Sequence, residues 1–178
     1  MSEGADNKSG ASRRAEILAV ARRIVREEGA AALTQPRLAR YMGLRQSHIT
    51  YYFPRKADLY AALLTDSHEQ AGALAEQAVG DCCEALVRIT FDAESMRFYL
   101  SMLLASASSP DLRAAIRAHT QAIEAELAIW LGRRRGDRSV SNFADELRGL
   151  GVRALVEPDM AMPNVRVMAA RHGLELPQ

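Results

Sequence analysis

Residues that start or stop helices follow one another at short intervals in the first third of the chain. These closely spaced helix starts and ends constrain the fold more than any other feature of the sequence. Gly29, Gly43 and Pro54 each end a segment with helical apolar spacing. Ahead of Gly29, Ser12 is a suitable N-cap, and apolar side chains recur on one helical face at Ile17, Leu18, Ala21, Ile24 and Val25. The pattern predicts a first helix from Ser12 to Gly29.

Two short helices around a tight turn are predicted next. Thr34 can cap the second helix, Pro36 suits its first turn, and Gly43 ends it. A third helix runs roughly from residue 45 to residue 53, and a longer fourth helix starts near residue 55. The predicted buried sets are Leu38, Ala39 and Met42 in the second helix and Ile49, Tyr52 and Phe53 in the third. Two short helices joined by a glycine-containing turn, behind a longer one, form a helix-turn-helix unit.

The third helix carries side chains that suit a DNA-reading helix. A helix that enters the major groove must present a short polar face without bulky aliphatic side chains. Arg and Gln have donor geometries that match the edges of guanine and adenine. The predicted exposed residues are Arg45, Gln46, Ser47, His48 and Thr50. The pattern therefore favours a nucleic-acid partner for this part of the chain.

Composition and charge agree with a helical protein in two parts. The 178 residues include 31 Ala and 20 Leu against 21 Val, Ile and Thr together, which favours an all-α fold. Residues 1–60 carry 11 Lys and Arg against 6 Asp and Glu, whereas residues 61–178 carry 12 against 16. The net charge of +1 thus conceals a basic N-terminal third and an acidic remainder. This split is typical of a nucleic-acid-binding head on a separate helical body.

Residues 13–63 closely resemble the DNA-binding domain of the TetR family of bacterial transcriptional regulators. The residues that carry the resemblance are Ile17, Leu18, Gly29, Leu33, Thr34, Leu38, Ala39, Gly43, Ile49, Tyr51, Tyr52, Phe53, Lys56 and Leu59. The resemblance implies an all-helical homodimer whose heads bind a palindromic double-stranded DNA operator and whose bodies bind a small-molecule effector. We expect a disordered tail over residues 1–11, a helix-turn-helix domain over residues 12–57, and an effector-binding and dimerisation domain over residues 58–178.

The same resemblance implies which side chains touch DNA. They are Thr34, Gln35, Arg45, Gln46, Ser47, Thr50, Tyr51 and Lys56, to which the polar face of the third helix adds His48. The family commonly has Ser or Thr where this chain has Arg45, and Tyr where it has Thr50. Lys56 is one of only two lysines beside 21 arginines, and it lies in the first helical turn, where the helix dipole favours an acid. A cation in that place suggests a phosphate partner.

The body has weaker signals. Ser109 and Pro110 mark the start of a helix of about 20 residues, in which His119 interrupts an apolar seam. Because Met adapts to varied ligands, the Met-rich segment before it suits an effector pocket, and we expect Tyr99, Met102 and His119 to contact the effector. The alternative is that these residues are ordinary core. A helix capped by Ser139 and a last helix from about residue 163 to residue 171 follow.

The last two helices are similar to the pair through which TetR-family subunits dimerise. The predicted dimer residues are Phe143, Leu147, Leu150, Gly151, Leu155 and Met168. Glycines inside a helix indicate close approach of another helix, and a palindromic operator needs two heads. The alternative is that this face packs within one subunit.

Other functional classes find little support. The chain has no Gly-rich phosphate loop, no nucleophile elbow and no pair of histidines at metal-ligand spacing, so we expect no enzyme activity, catalytic residue, metal or cofactor. No segment predicts a membrane span or signal peptide, which favours the cytoplasm. Cys82 and Cys83 are adjacent and could act as a redox sensor, although buried inert thiols are commoner. A DNA-binding dimer without an effector and a transcriptional activator on the same fold are the alternatives to an effector-released repressor.

Overall fold

A computed structural model of the chain describes residues 3–76, 87–88 and 90–177. In this part of the chain there are eight α-helices and no strand, which confirms the predicted all-α class. The helices are α1 (Glu3–Glu28), α2 (Gln35–Tyr41), α3 (Gln46–Tyr52), α4 (Lys56–Glu76), α5 (Ala93–Ala105), α6 (Pro110–Trp130), α7 (Arg138–Ala154) and α8 (Val165–Arg171). Of the predicted helix from residue 81 to about residue 91, residues 81–86 and 89 lie outside the described residues, and residues 87, 88, 90 and 91 are helical.

The first helix is longer than predicted. It begins at Glu3 rather than at Ser12, so residues 3–11 are helical and not the disordered tail that their polarity suggested. Once a helix has nucleated, each added residue gains a backbone hydrogen bond at little further cost, and this stretch holds no proline to stop it. Polarity alone was therefore a poor guide to where the helix starts.

Two compact units make up the chain. The first unit contains Met1–Asp66 and Phe98–Ile116, and the second contains Ser67–Arg97 and Arg117–Gln178. This division differs from the predicted boundary at residue 58. The reason is that Phe98, Met102, Leu112 and Ile116 are buried in the same apolar cluster as the helix-turn-helix. The first unit is therefore a head that includes a segment expected in the body.

The core of the first unit is built from every one of its helices. Its largest fully buried side chains are Tyr60, Phe53, Ile17, Ile24, Leu33, Leu38, Ile49, Leu59, Leu63, Met102 and Leu112. Burying one such side chain stabilises the fold by about 1.5–3 kcal/mol. An ion pair between Arg22 on α1 and Asp66 on α4, with 2.9 Å between Nη2 and Oδ2, adds a polar link within this unit.

The second unit has its own core, formed by α6, α7 and α8. The buried members are Ala128, Val140, Phe143, Leu147, Val165, Met168, Ala169 and Leu174. Helix α7 is capped by Asp137, whose carboxylate accepts the Ser139 N–H at 2.9 Å, and not by Ser139 as predicted. Helix α8 is capped in the same way by Asn164, which accepts the Val167 N–H at 3.1 Å.

This core contains part of the face that was predicted to form the dimer contact. Phe143, Leu147 and Met168 are at most 5% exposed in the single chain because they pack against one another and against α6. Gly151 is buried too, and a Cβ built on it would lie 2.5 Å from the carbonyl oxygen of Thr90. The close helix approach that its glycine indicated is therefore made within the subunit. Leu150 and Leu155 are half-buried, and their part in a dimer stays a prediction.

Candidate nucleic-acid interface

A tight turn joins α2 to α3. Gly43 adopts a φ of +64°, which a residue with a Cβ rarely takes, and its N–H donates to the Arg40 carbonyl at 3.2 Å. The Leu44 N–H donates to the Ala39 carbonyl at 2.9 Å. These bonds close the C-terminus of α2 and reverse the chain within a few residues. Thr34 caps the other end of α2, where its Oγ1 accepts the Arg37 N–H at 3.2 Å, as predicted.

Two buried side chains anchor α3. Ile49 and Phe53 are 0% and 1% exposed, and they hold one side of this seven-residue helix against the core of the first unit. The Gln35 Nε2 donates to the Phe53 carbonyl at 2.7 Å, which ties α2 to the end of α3. The Arg14 guanidinium lies 5.2 Å from the centre of the Phe53 ring. The orientation of α3 is thus set by apolar burial, a hydrogen bond and a cation–π contact.

The opposite side of α3 is open. Arg45, Gln46, Ser47 and His48 are exposed, and the Tyr51 side chain is 80% exposed. The structure therefore brings together five of the predicted DNA-binding residues on one polar surface. A helix with this short polar face and a buried apolar back can lie in a major groove.

Two other predicted DNA-binding side chains already have partners. The Thr50 hydroxyl donates to the Gln46 carbonyl at 2.7 Å, and the Gln35 amide donates to Phe53. Because phosphate oxygens only accept hydrogen bonds, the single hydroxyl proton of Thr50 reaches a phosphate only if its present bond breaks, whereas the Gln35 amide keeps a second N–H. The Thr50 bond could not be predicted from sequence, since a Thr side chain inside a helix can either point outward or donate to a backbone carbonyl of the preceding turn.

Lys56 lies at the start of α4 beside an ion pair. Arg55 and Asp58 form a bidentate contact, with 2.7 Å between Nη2 and Oδ1, and Asp58 also accepts the Arg55 backbone N–H at 3.0 Å. The hydrogen bond from Arg55 lowers the pKa of Asp58 and raises the pKa of Arg55 itself. The Lys56 Nζ lies 5.1 Å from the centre of the buried Tyr60 ring. Asp58 thus complements the helix dipole while the Lys56 ammonium is held against an aromatic face.

A third set of contacts joins α1 to α2. Glu28 pairs with Arg37, and the Tyr41 hydroxyl donates to Glu28 at 3.4 Å. The Arg23 guanidinium lies 5.3 Å from the centre of the Tyr41 ring. These contacts hold the two helices behind α3 in one arrangement.

The three predicted effector residues fall in different units. Met102 is 0% exposed in the core of the first unit, and Tyr99 packs half-buried against that core. His119 belongs to the second unit. Met102 is therefore core, which was the alternative that the sequence left open, because its whole side chain is used in packing.

Sequence reasoning missed the partner of His119. Its ring lies edge-on to that of His68 on α4, with 5.7 Å between ring centroids and an interplanar angle of 81°, and both side chains are half-buried. Burial, and secondly the charge of His68, lower the pKa of His119 to about 4. No local signal could have found this pair, since its members lie on two helices far apart in the chain.

The His119 imidazole predicts a pH dependence of stability. Its ordinary pKa is 6.5 and its pKa in the fold is about 4, so the unfolded chain binds a proton more readily. Stability is complete above about pH 6.5 and falls as the pH drops towards 4, by roughly 1–2 kcal/mol after solvent screening of a half-buried ring. With a chelator present, urea unfolding should show that the free energy of unfolding falls less with decreasing pH in His119→Gln than in wild type. His48→Gln, which removes an exposed imidazole, is the control. Equal pH profiles for wild type and His119→Gln would contradict the expectation.

Two further observations concern only the described part of the chain. No helix there is both long and apolar enough to cross a membrane. No group of three or more His, Cys, Asp or Glu side chains there is arranged to hold a metal ion. Cys82 and Cys83 lie outside the described residues.

Comparison with known proteins agrees with the geometry of the head. Residues 17–63 match the family model described as bacterial regulatory proteins, tetR family. This stretch contains the buried anchors of α1 to α4 and the whole turn between α2 and α3. No curated protein sequence matches the chain significantly.

Solved structures share the fold at low sequence identity. A TetR-family member from Streptomyces coelicolor A3 is 21% identical with a TM-score of 0.65, over 93% of this chain and 99% of that one. The multidrug binding protein EbrR, complexed with imidazole, is 22% identical with a TM-score of 0.64, over 93% and 97%. A transcriptional regulator from Rhodococcus sp. Rha1 is 16% identical with a TM-score of 0.62, over 93% and 99%. Residues 17–63 therefore match the DNA-binding part of the tetR family of bacterial regulatory proteins, and the chain as a whole shares the all-helical fold of the solved TetR-family member.

Proposed function

We propose that the protein is a transcriptional repressor that binds a palindromic operator as a homodimer and is released by a small-molecule effector. The observation that carries the proposal is the polar face of α3, opposite the buried Ile49 and Phe53. In a dimer, two such helices would enter successive major grooves about 34–36 Å apart. The protein would act in the cytoplasm without catalysing a reaction or needing a cofactor.

Base reading and phosphate binding fall to different side chains in this proposal. Arg45 and Gln46 are exposed at the N-terminal end of α3, which is the end that reads base edges in a helix-turn-helix. Gln pairs with adenine and Arg with guanine through two hydrogen bonds each. Lys56 and Tyr51 would bind phosphates and orient the head without reading sequence.

Footprinting on the DNA upstream of the protein's own gene tests the proposal. We expect protection of a site with two-fold symmetry, spanning two successive major grooves, at moderate salt. Absence of any protected symmetric site with purified dimer would count against operator binding. Two protected half-sites arranged as a direct repeat would count against a two-fold symmetric dimer.

Two substitutions separate base reading from phosphate binding. Gln46→Ala should relax base preference at one position per half-site and cost about 1–3 kcal/mol on the preferred sequence. Lys56→Ala should weaken binding to all sequences alike and reduce the salt slope by about one. Fluorescence anisotropy with the footprinted site and single-base variants, at several salt concentrations, measures both. If both variants lost only non-specific affinity, α3 would not be the recognition helix.

The dimer surface proposed here differs from the one predicted from sequence. The outer face of α7 presents Gly149 and Val152, which are exposed, and Val156 follows just beyond the helix at 78% exposure. Val167 on α8 is 57% exposed. Exposed apolar side chains on the last two helices, beside a glycine with nothing within 4 Å of its Cβ position, suit a two-fold contact of helices.

A charge on this face should separate the subunits. We expect Val152→Glu to shift the protein to monomer at micromolar concentration, because two like charges would face each other across the two-fold axis. Light scattering after size exclusion measures the change. Ala19→Glu, on the exposed side of α1, is the matched control because it adds the same charge away from the proposed interface. The neighbouring Val20 is not used because it packs against the core. A Val152→Glu protein that stays dimeric would place the interface elsewhere.

Effector release is supported by relatives that share the fold. EbrR is described as complexed with ethidium and with proflavin, and a regulator from Saccharomonospora viridis as complexed with choline. An effector that binds one conformation of the dimer better than another would shift the population away from the DNA-competent state. The burial of Met102 in the head core favours the second candidate, a DNA-binding dimer that needs no effector. A thermal-shift screen of small molecules decides between them, since a ligand of the folded state must stabilise it.

A further inference from the structure

The pair formed by His68 and His119 has no part in the proposed DNA surface or dimer contact. Both imidazoles lie in the second unit, one on α4 and one on α6, and both are half-buried. Their ring centroids are 5.7 Å apart. Two nitrogen-bearing rings held this close on separate helices can present donor nitrogens to one shared ligand.

We infer that His68 and His119 together bind one divalent transition-metal ion of the kind that prefers imidazole ligands, such as Zn²⁺, Ni²⁺ or Cu²⁺. Imidazole nitrogens suit these ions, which bind them at about 2.0–2.1 Å. Two imidazoles bound to one ion at that distance have ring centroids roughly 6 Å apart or less. The observed separation meets this condition without any movement of the two helices.

The present edge-to-face orientation requires only a local change. At an interplanar angle of 81° the rings touch as an aromatic pair. Rotation of each ring about its Cβ–Cγ bond, with the backbone in place, would turn one nitrogen of each towards a common point. Such terminal torsions have broad minima, so the rotation costs little.

Two imidazoles fill only part of the coordination shell of such an ion. No third His, Cys, Asp or Glu joins the two rings among the residues that the structure describes. A structural zinc site uses four protein ligands, whereas a site with fewer leaves positions for water or for donor atoms of a small molecule. With donor atoms of a small molecule in such positions, a chelating compound could bind on the ion held by the two histidines. The inference does not rest on the proposed function, since it uses neither the operator nor the dimer.

Direct metal titration tests whether His68 and His119 bind an ion together. We expect the chelator-treated full-length protein to bind one equivalent of Zn²⁺ or Cu²⁺ per chain by calorimetry. His68→Gln and His119→Gln should each weaken binding at least about tenfold, because the loss of a ligand costs no less than the loss of an outer-shell partner. His48→Gln, which removes an exposed histidine from the head, should bind like wild type. Circular dichroism checks that each variant is folded.

A spectroscopic measurement on the unaltered protein keeps the test independent of the variants. The electron paramagnetic resonance spectrum of the Cu²⁺-loaded protein should show hyperfine coupling to two imidazole nitrogens. No stoichiometric binding, coupling to fewer than two nitrogens, or unchanged affinity in folded His68→Gln and His119→Gln would each overturn the inference. The last result would mean that the ion binds elsewhere on the chain.

Discussion

Replacing Phe53 by alanine is expected to lower the free energy of unfolding by about 3–5 kcal/mol and to abolish operator binding with it. The side chain is 1% exposed, and its ring also receives the Arg14 guanidinium at 5.2 Å. Its removal leaves a cavity at the C-terminal end of α3, where Ile49 and the half-buried Tyr52 would be the remaining apolar anchors. Because α3 has only seven residues, its stability depends on such tertiary packing.

Tyr51→Ala is the matched control for that substitution. Tyr51 is an aromatic residue two positions away on the same helix, yet it is 80% exposed. We expect its loss to change stability by no more than about 0.5 kcal/mol and to weaken DNA binding by about 1–2 kcal/mol. Urea unfolding followed by circular dichroism, together with DNA anisotropy, measures both. If the two substitutions destabilised the protein equally, the assignment of one ring to the core and the other to DNA would be wrong.

Gly151→Ala is expected to destabilise the protein by about 1–3 kcal/mol, against the usual preference of helices for alanine. A Cβ on Gly151 would lie 2.5 Å from the Thr90 carbonyl oxygen and 2.5 Å from the Met96 Cε. The methionine end can move, but the backbone oxygen cannot without a shift of its segment. The added methyl group therefore forces α7 away from residues 90–96.

The neighbouring Gly149 gives the opposite prediction. It lies in the same helix, is exposed, and has nothing within 4 Å of its Cβ position. In the Val152→Glu background, where the proposed dimer contact is absent, Gly149→Ala should raise the free energy of unfolding by about 0.5–1 kcal/mol, since alanine loses less conformational entropy in a helix. Thermal or urea unfolding at a fixed protein concentration compares the two variants. Changes of the same sign would show that the local backbone, and not the contact with Thr90, sets the effect at residue 151.

Much of the head could be predicted from sequence because its signals act over a few residues. Gly43 ends α2 with a positive φ, Thr34 caps that helix, and Ser109 stands before a helix that begins at Pro110, accepting the Leu112 N–H at 3.3 Å. Caps and turns satisfy backbone groups within one helical turn, so residue type and order are enough to locate them. The same reasoning failed for residues 3–11, because the helix start was assigned to Ser12 and the polar residues before it to a tail.

Apolar periodicity was less informative about what packs against an apolar helix face. The face of α7 that holds Phe143 and Leu147 was correctly predicted to be apolar, but it is buried within the subunit rather than against a second one. Met102 was expected beside an effector and lies in the core of the head. A periodic pattern shows that a face is covered, and it carries no information about which helix covers it.

The amino-acid sequence by itself determined the helical class, the ends of the short helices and the polar face of α3. Only the tertiary structure decided that the Thr50 hydroxyl and one Gln35 N–H donate within the head, that residues 98–116 join it, and that His68 contacts His119. The first set depends on backbone conformation and hydrogen bonds between near neighbours in the chain. The second depends on contacts between residues far apart in the chain, which form only when apolar faces pack together and exclude water.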